Sequence, residues 1–295
     1  MLGLESPFVW PAHWERFRTN GISMREYQRR ALAMDVGPES QVYYNWARKN
    51  TDGTPANLRP IPLGARDITA DVLRDYVGGN ASVLIGHDPG TRQHVSVFLK
   101  AFKLPGTDGA PRWFIVDEVT DPETTVQRHA QNVMARCRDK WGCYRLDFRG
   151  KPDRESPIAL VRIDPHTRSG DQHPGQDVYT IWRAVGFTAK AAGYKPGSDE
   201  PMTIKRTSRI DMMNTLLSAV AEVGEVRRLY VATDDHGHPV AKKLVEAFES
   251  MQTDASGSAE TEAKDADDLS HWPAAVGYAL WQVESPRMRM QQEAA

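Results

Sequence analysis

Residues 82–118 read SVLIGHDPGTRQHVSVFLKAFKLPGTDGAPRWFIVDE, with three apolar runs separated by turn residues. The runs cover 82–86, 94–100 and 113–118, and the second alternates polar and apolar side chains as a half-buried strand does. The segment 104–111 is rich in Pro and Gly and is typical of a hairpin connection. This stretch therefore predicts three consecutive strands, the last two joined as a hairpin.

The following residues alternate between helical and strand patterns. Apolar side chains recur at helical spacing from 124 to 141, and a fourth strand is predicted at 143–147. Charge, Pro and Gly in 149–178 favour a long irregular stretch around the apolar residues 158–163. Further elements are predicted as a helix at 210–223, a strand at 229–232, and helices at 239–251 and 267–281. This order favours an α/β fold, an RNase H-like mixed sheet flanked by helices.

Three regions are expected along the chain. Residues 1–80 are predicted to form a helical N-terminal arm and linker: 1 to about 50 read as helical, 50–68 as a turn-rich linker, and 69–77 as a short helix. Residues 81–285 are expected to form the RNase H-like domain, and 286–295 a tail.

The composition restricts the kind of partner and compartment. Lys and Arg number 37 against 39 Asp and Glu, a net charge of −2, so nucleic-acid binding would need a local basic strip. Cys137 and Cys143 form no CxxC pair, which indicates a reducing compartment. No apolar run reaches the roughly 18 residues of a membrane span. We expect a soluble cytoplasmic protein with no membrane partner.

Acidic residues at the ends of predicted elements are the candidate metal ligands. Asp88 follows the first apolar run, where Pro89 and Gly90 turn the chain, and Asp147 ends the predicted fourth strand. If those two strands are neighbours, both carboxylates lie at one edge of the sheet. Asp88 alone is also ordinary turn chemistry, and Asp147 alone is also a candidate for a surface ion pair with a neighbouring arginine.

A third acidic group opens the last predicted helix. Asp265, Asp267 and Asp268 stand before His271, and the spacing from Asp267 or Asp268 to His271 puts each pair on one helix face. Capping and the helix dipole also favour acids here, but they do not require His271.

Three acids on separate elements fit two-metal phosphodiester hydrolysis. Two divalent ions about 4 Å apart activate water on one side of a phosphate and stabilise the leaving oxygen on the other. Carboxylate oxygens suit Mg²⁺ or Mn²⁺.

The motifs resemble those of the C-terminal nuclease domain of tailed-bacteriophage terminase large subunits, which belong to the RNase H-like superfamily. The resemblance rests on three acidic motifs, on the stretch between the second and third, and on an N-terminal segment similar to the one that follows the family's ATPase domain. The three acidic motifs are residues 85–90, Leu146-Asp147 and residues 267–280. The stretch between the second and third motifs comprises 208–217 and 229–232, and the N-terminal segment comprises Phe8-Val-Trp-Pro and Tyr27-Gln28-Arg-Arg.

The resemblance implies an endonuclease that cuts concatemeric double-stranded viral DNA during genome packaging in the host cell cytoplasm. By position, Asp88, Asp147 and Asp268 would be catalytic metal ligands, with His271 and Asp267 accessory and two Mg²⁺ or Mn²⁺ ions bound. Many relatives carry another acid where this chain has Ala274, so Asp265 and Asp267 stay alternatives at the third site.

The resemblance also implies partners from the packaging machine. The chain has no GxxxxGK[ST] loop, so a packaging ATPase is expected as a separate chain or a missing part, alongside the small terminase subunit and the portal.

Two other groups compete with these ligands. Glu118 ends the third predicted strand and is the alternative second acid. The cluster Asp234-Asp235-His236-Gly-His238 looks like a metal site, but it follows a predicted strand, where polar turn residues are common.

Five basic residues near these motifs are candidates for contacts to DNA phosphates. They are Arg149 and Lys151, and Lys205, Arg206 and Arg209 at a predicted helix start. A solvated surface is the competing interpretation for each.

Two alternative functions stay open at this stage. One is an RNase H-like nuclease of the resolvase or integrase type, and the other is a catalytically silent docking module of the packaging motor.

Overall fold

The computed structural model describes residues 41–50, 53–77, 81–90, 93–105, 110–141, 159–165, 177–193, 203–218, 227–252 and 269–294. The strands are β1 (Leu58–Arg59), β2 (Arg66–Asp67), β3 (Val83–Pro89), β4 (Gln93–Lys103), β5 (Arg112–Pro122), β6 (Ala159–Ile163), β7 (Thr188–Ala191) and β8 (Leu229–Ala232). The helices are α1 (Thr69–Val77), α2 (Val126–Trp141), α3 (Val178–Val185), α4 (Arg206–Leu217), α5 (Lys242–Ser250) and α6 (His271–Ala294). Within these ranges, no helix combines the length and hydropathy needed to cross a membrane.

The strands form one mixed sheet in the order β1-β8-β5-β4-β3-β6-β7, with β2 beside β4. The pairs β3–β4 and β4–β5 are antiparallel, whereas β3–β6, β6–β7, β5–β8 and β1–β8 are parallel. Strand β3 therefore lies between its antiparallel neighbour β4 and its parallel neighbour β6. The predicted fold class, a mixed sheet flanked by helices, is confirmed.

Helices cover both faces of the sheet, and β3 presents alternate residues to each. Leu84 packs in the cluster that includes residues of α4, α5 and α6. Val83 and Ile85 pack in the cluster of α2 and α3 on the other face.

Helix α6 lies directly on the backbone of β3 at Gly86. A Cβ atom built at Gly86 would be 1.9 Å from the carbonyl oxygen of Ala275. Glycine is required here by close packing, which brings the helix against the strand that carries Asp88.

Strand β6 corrects the predicted irregular stretch around 158–163. All five of its residues are buried, because β6 lies between β3 and β7 with helices on both faces. The Arg162 guanidinium donates a hydrogen bond to the Ala191 carbonyl, which allows this charged residue into an apolar run. Such a strand lacks the alternation that reveals a half-buried one. The predicted strand at 143–147 lies outside the described residues and stays a prediction.

The predictions for the N-terminal region are met only in part. The helix at 69–77 matches α1, whereas 41–50 forms turns rather than the predicted helix. Tyr43 and Trp46 pack on Phe248 of α5, with ring centroids 5.1 and 4.9 Å away. Packing against α5 buries these aromatic rings without a helix at 41–50. Residues 1–40 lie outside the described ranges.

Candidate metal centre

Asp88 and Asp164 lie at the carboxyl ends of two neighbouring parallel strands. The last register pair between β3 and β6 is His87 with Ile163, so the two aspartates are the next residue on each strand. The Asp164 amide donates to the His87 carbonyl at 3.4 Å, which extends the pairing to this point. Two carboxylates from distant parts of the chain are thereby brought to one edge of the sheet.

His271, on helix α6, contacts Asp88 at this edge of the sheet. It is the first residue of α6, and its Nδ1 lies 2.9 Å from Oδ2 of Asp88. Both side chains are largely buried, with 17% and 12% of their surfaces exposed. A Cβ at Gly90 would lie 2.7 Å from the His271 ring, so the Asp-Pro-Gly turn leaves the space that the imidazole occupies.

Tyr278 lies further along α6 and interacts with both acids. Burial raises the pKa of its phenol far above the ordinary value; nearby Arg209 opposes this rise, and Asp88 and Asp164 add to it. The phenol therefore stays protonated beside the two carboxylates.

Arg209 is buried beside this tyrosine. Its guanidinium carbon lies 4.8 Å from the centre of the Tyr278 ring, a cation–π distance. Gly277 makes room for it, since a Cβ there would be 2.4 Å from the Arg209 Cγ. Arg209 is only 5% exposed, so it does not lie in the exposed basic strip expected from the sequence.

The donor set at this edge fits a hard divalent cation. Carboxylate oxygens from Asp88 and Asp164 and an imidazole nitrogen from His271 are ligand types that Mg²⁺ and Mn²⁺ accept. Within the described ranges, no three His, Cys, Asp or Glu side chains are placed so that they could hold a metal ion together. Asp265, Asp267 and Asp268, predicted to supply the third carboxylate, directly precede the described start of this region at Leu269 and lie outside the described residues.

The sequence motifs indicate Asp147 as the second acid and do not indicate Asp164. Asp147 lies outside the described residues, as do Arg149 and Lys151. One sequence signal points to Asp164, because Pro165 follows it directly after the apolar run 158–163, as Pro89 follows Asp88; Asp121-Pro122 at the end of β5 shares this motif.

The alternative acid, Glu118, is engaged elsewhere. Its carboxylate accepts hydrogen bonds from the backbone amides of Lys243 at 2.9 Å and Leu244 at 3.2 Å, and so caps α5. Burial raises the pKa of this carboxyl, and the backbone hydrogen bonds lower it.

The Asp234–His238 cluster is a turn. Asp234 Oδ1 accepts from the amides of His236 at 2.9 Å and His238 at 2.8 Å, as an Asx-type turn does. These contacts agree with turn chemistry as its interpretation.

Two of the predicted phosphate-binding residues are exposed. Lys205 and Arg206 stand at the N-terminus of α4, one turn before the buried Arg209. Backbone amides at a helix N-terminus add to their positive field.

No family model and no curated protein matches this sequence. Among solved structures, the chain is similar in fold to the nuclease domain of the phage P22 large terminase, with 13% identity, a TM-score of 0.45, and coverage of 77% of this chain and 89% of that one. It is also similar to the Mn-bound nuclease domain of the large terminase of bacteriophage SPP1, with 15% identity, a TM-score of 0.37, and coverage of 77% and 98%. A third is Thermus thermophilus RuvC, with 12% identity, a TM-score of 0.28, and coverage of 70% and 96%.

At these identities and TM-scores the three likenesses concern the path of the chain alone.

Proposed function

We propose that this chain is a divalent-metal-dependent endonuclease that hydrolyses phosphodiester bonds of double-stranded DNA. The observation that carries the proposal is the pairing of β3 with β6, which brings Asp88 and Asp164 together beneath α6. Two carboxylates at one sheet edge, with a histidine 2.9 Å from the first, form a site with the charge and donor types that a divalent cation needs.

Asp88, Asp164 and His271 would hold Mg²⁺ or Mn²⁺, with Asp268 or Asp267 as the third carboxylate and Asp265 as a further alternative. When bound, two such ions supply activation of water and stabilisation of the leaving oxygen. We prefer Asp164 to Asp147 as the second acid because Asp164 continues the β3–β6 pairing by one residue.

The surrounding residues fix the carboxylates in place. Tyr278 lies beside both acids with its phenol protonated, and Arg209 packs against the tyrosine ring. His271 contacts Asp88 through Nδ1. Side chains held by packing and hydrogen bonds keep a metal site in its working geometry.

The proposed setting is the packaging of concatemeric viral DNA in the host cell cytoplasm. The sequence motifs support it through their order along the chain. The expected partners are double-stranded DNA, a packaging ATPase, the small terminase subunit and the portal.

The purified chain is expected to nick or linearise plasmid DNA in Mn²⁺ or Mg²⁺ and to lose this activity in EDTA. Clustered carboxylates repel one another without a cation, so the same ions are expected to raise the melting temperature. Gel analysis of plasmid and a thermal shift series measure both effects. Undiminished cutting in EDTA would contradict the metal mechanism.

The same two measurements separate the alternatives. Neither cutting nor a metal-dependent shift would indicate a silent docking module. Cutting confined to four-way junctions, with linear duplex left intact, would indicate a resolvase-type nuclease.

Replacing Lys205 and Arg206 together with Ala is expected to weaken the salt dependence of duplex binding. Both side chains are exposed at the start of α4, and each phosphate contact contributes about 0.9 to the slope of log affinity against log salt, so the slope should fall by about two. Fluorescence anisotropy of labelled duplex in Ca²⁺ measures it across a salt series.

Lys242 and Lys243, which begin α5, provide the matched control. The double Ala variant at these positions removes the same charge and should leave the slope near the wild-type value. A slope unchanged by the Lys205/Arg206 variant would mean that the protein binds DNA phosphates through other residues.

A further inference from the structure

A chain of buried hydrogen bonds lies on the opposite face of the sheet from the candidate centre. His129 Nδ1 is 2.6 Å from Asp121 Oδ2, and His129 Nε2 is 2.8 Å from the Ser96 hydroxyl. The Ser96 hydroxyl is in turn 3.2 Å from Nδ1 of His87. Four polar side chains from β3, β4, β5 and α2 are thereby linked in one line.

Each hydrogen bond in this line has a defined donor and acceptor. Asp121 can only accept, so His129 donates through Nδ1 and its Nε2 accepts the Ser96 hydroxyl proton. The Ser96 oxygen then accepts from His87 Nδ1. Burial lowers the pKa of His129 despite the contact with Asp121, and burial lowers the pKa of His87 strongly, which agrees with neutral rings in both places.

An Asp–His–Ser line with these contacts has the order of a hydrolytic triad. Ser96 and His129 are both fully buried, so no substrate reaches the serine hydroxyl. Any effect of this hydrogen-bonded line on the candidate centre is therefore indirect and passes through the backbone that the line contacts.

That backbone belongs to the strand pair that carries the first acid. His87 immediately precedes Asp88, and its Nδ1 also lies 3.0 Å from the carbonyl oxygen of Val95. Val95 is the residue paired with Asp88 across β3 and β4. Because successive residues of a strand point to opposite faces, fixing the His87 ring on one face fixes where Asp88 emerges on the other.

We propose that Ser96 and His129 are positioning residues for the metal ligand Asp88, acting through His87 from the far side of the sheet. This inference rests on the proposed function. Asp121 anchors the line at its outer end, where Asn132 also donates to it at 2.9 Å. Partners behind a ligand commonly change metal affinity by about 10–100-fold when they are removed.

The test is direct measurement of Mn²⁺ binding by electron paramagnetic resonance of the free ion, together with the Mn²⁺ dependence of plasmid cleavage. Ser96→Ala is expected to weaken Mn²⁺ binding by about tenfold and to raise the half-saturating concentration equally. The cleavage rate at saturating Mn²⁺ should change much less, since the residues that hold the ions are intact. His129→Phe, which keeps an aromatic ring in the same space, should have the same effect.

The double variant tests whether Ser96 and His129 act together through one hydrogen-bonded line or affect Mn²⁺ binding independently. If the two residues act as one line, Ser96→Ala with His129→Phe should bind Mn²⁺ no more weakly than either single variant. Tenfold losses that multiply to about a hundredfold would overturn the proposal.

Trp113→Phe is the matched control for general destabilisation. It removes another buried hydrogen bond, from Trp113 Nε1 to Glu284 Oε1 at 2.7 Å, and should leave Mn²⁺ binding unchanged. Equal weakening in this control, or wild-type affinity in Ser96→Ala, would overturn the inference alone. A wild-type protein that binds no Mn²⁺ would overturn the proposed function and this inference together.

Discussion

Asp164→Asn is expected to abolish metal-dependent DNA cleavage while the protein stays folded. The amide keeps the shape of the side chain but removes the charge that would hold the cation. Loss of several kcal/mol of transition-state stabilisation corresponds to a fall in kcat of about a thousandfold or more. Plasmid cleavage at saturating Mn²⁺ measures the rate, and circular dichroism with urea unfolding measures the fold. Asp88→Asn should match it.

Two further variants make this result specific. Asp147→Asn should retain activity if Asp164 is the second acid. Glu118→Gln should also retain it and should cost about 1 kcal/mol of stability, because Glu118 caps α5. Activity that survives Asp164→Asn and disappears in Asp147→Asn would return the assignment to Asp147.

Much of the fold was predictable because its strongest patterns are local. The strand at 229–232 and the helix at 69–77 have the predicted bounds, and the three strands from 82 to 118 are present as longer versions, β3 to β5. Helical spacing in α2 was equally legible. In each case an alternating or helical period reports a face that is buried beside one that is not.

Strand β6 was not predictable in this way, because both of its faces are buried and its apolar run is short. Its neighbour in the sheet is a long-range property that no local period reports. Asp88 and His271 were predicted as metal ligands from their motifs, but their contact at 2.9 Å and the place of Asp164 depend on which strands and helices pair. The candidate site is therefore harder to predict from the sequence than the strands and helices that carry its residues.

Arg209 illustrates a second limit of sequence patterns. A cluster of Lys and Arg at a helix start predicts an exposed face, yet Arg209 is buried against Gly277 and Tyr278. The absence of a side chain on the facing helix decides its position, and that information lies far away in the sequence.

Gly86→Ala is expected to destabilise the protein by about 3 kcal/mol or more, at the upper end of the usual cost of overpacking a core. The added Cβ would lie 1.9 Å from the Ala275 carbonyl oxygen and 2.7 Å from its carbonyl carbon. Both are backbone atoms of α6, which cannot rotate away as a side chain can. Relief requires the helix to move, and α6 carries His271 and Tyr278. Mn²⁺ binding should therefore weaken along with the free energy of unfolding in urea.

Gly237→Ala is the control for a glycine replacement without a clash. Gly237 has φ of 79° and nothing within 4 Å of a built Cβ, so the change costs only backbone strain, about 1–2 kcal/mol, and should leave Mn²⁺ binding intact. Adding Ala279→Gly to Gly86→Ala removes only the contact at 3.0 Å and leaves the contact at 1.9 Å, so it should not restore stability. Full rescue by Ala279→Gly, or a Gly86→Ala protein as stable as the Gly237→Ala one, would mean that α6 does not depend on a bare backbone at β3. Persistent loss of both stability and Mn²⁺ binding would instead tie the metal centre to the contact between α6 and β3 at Gly86.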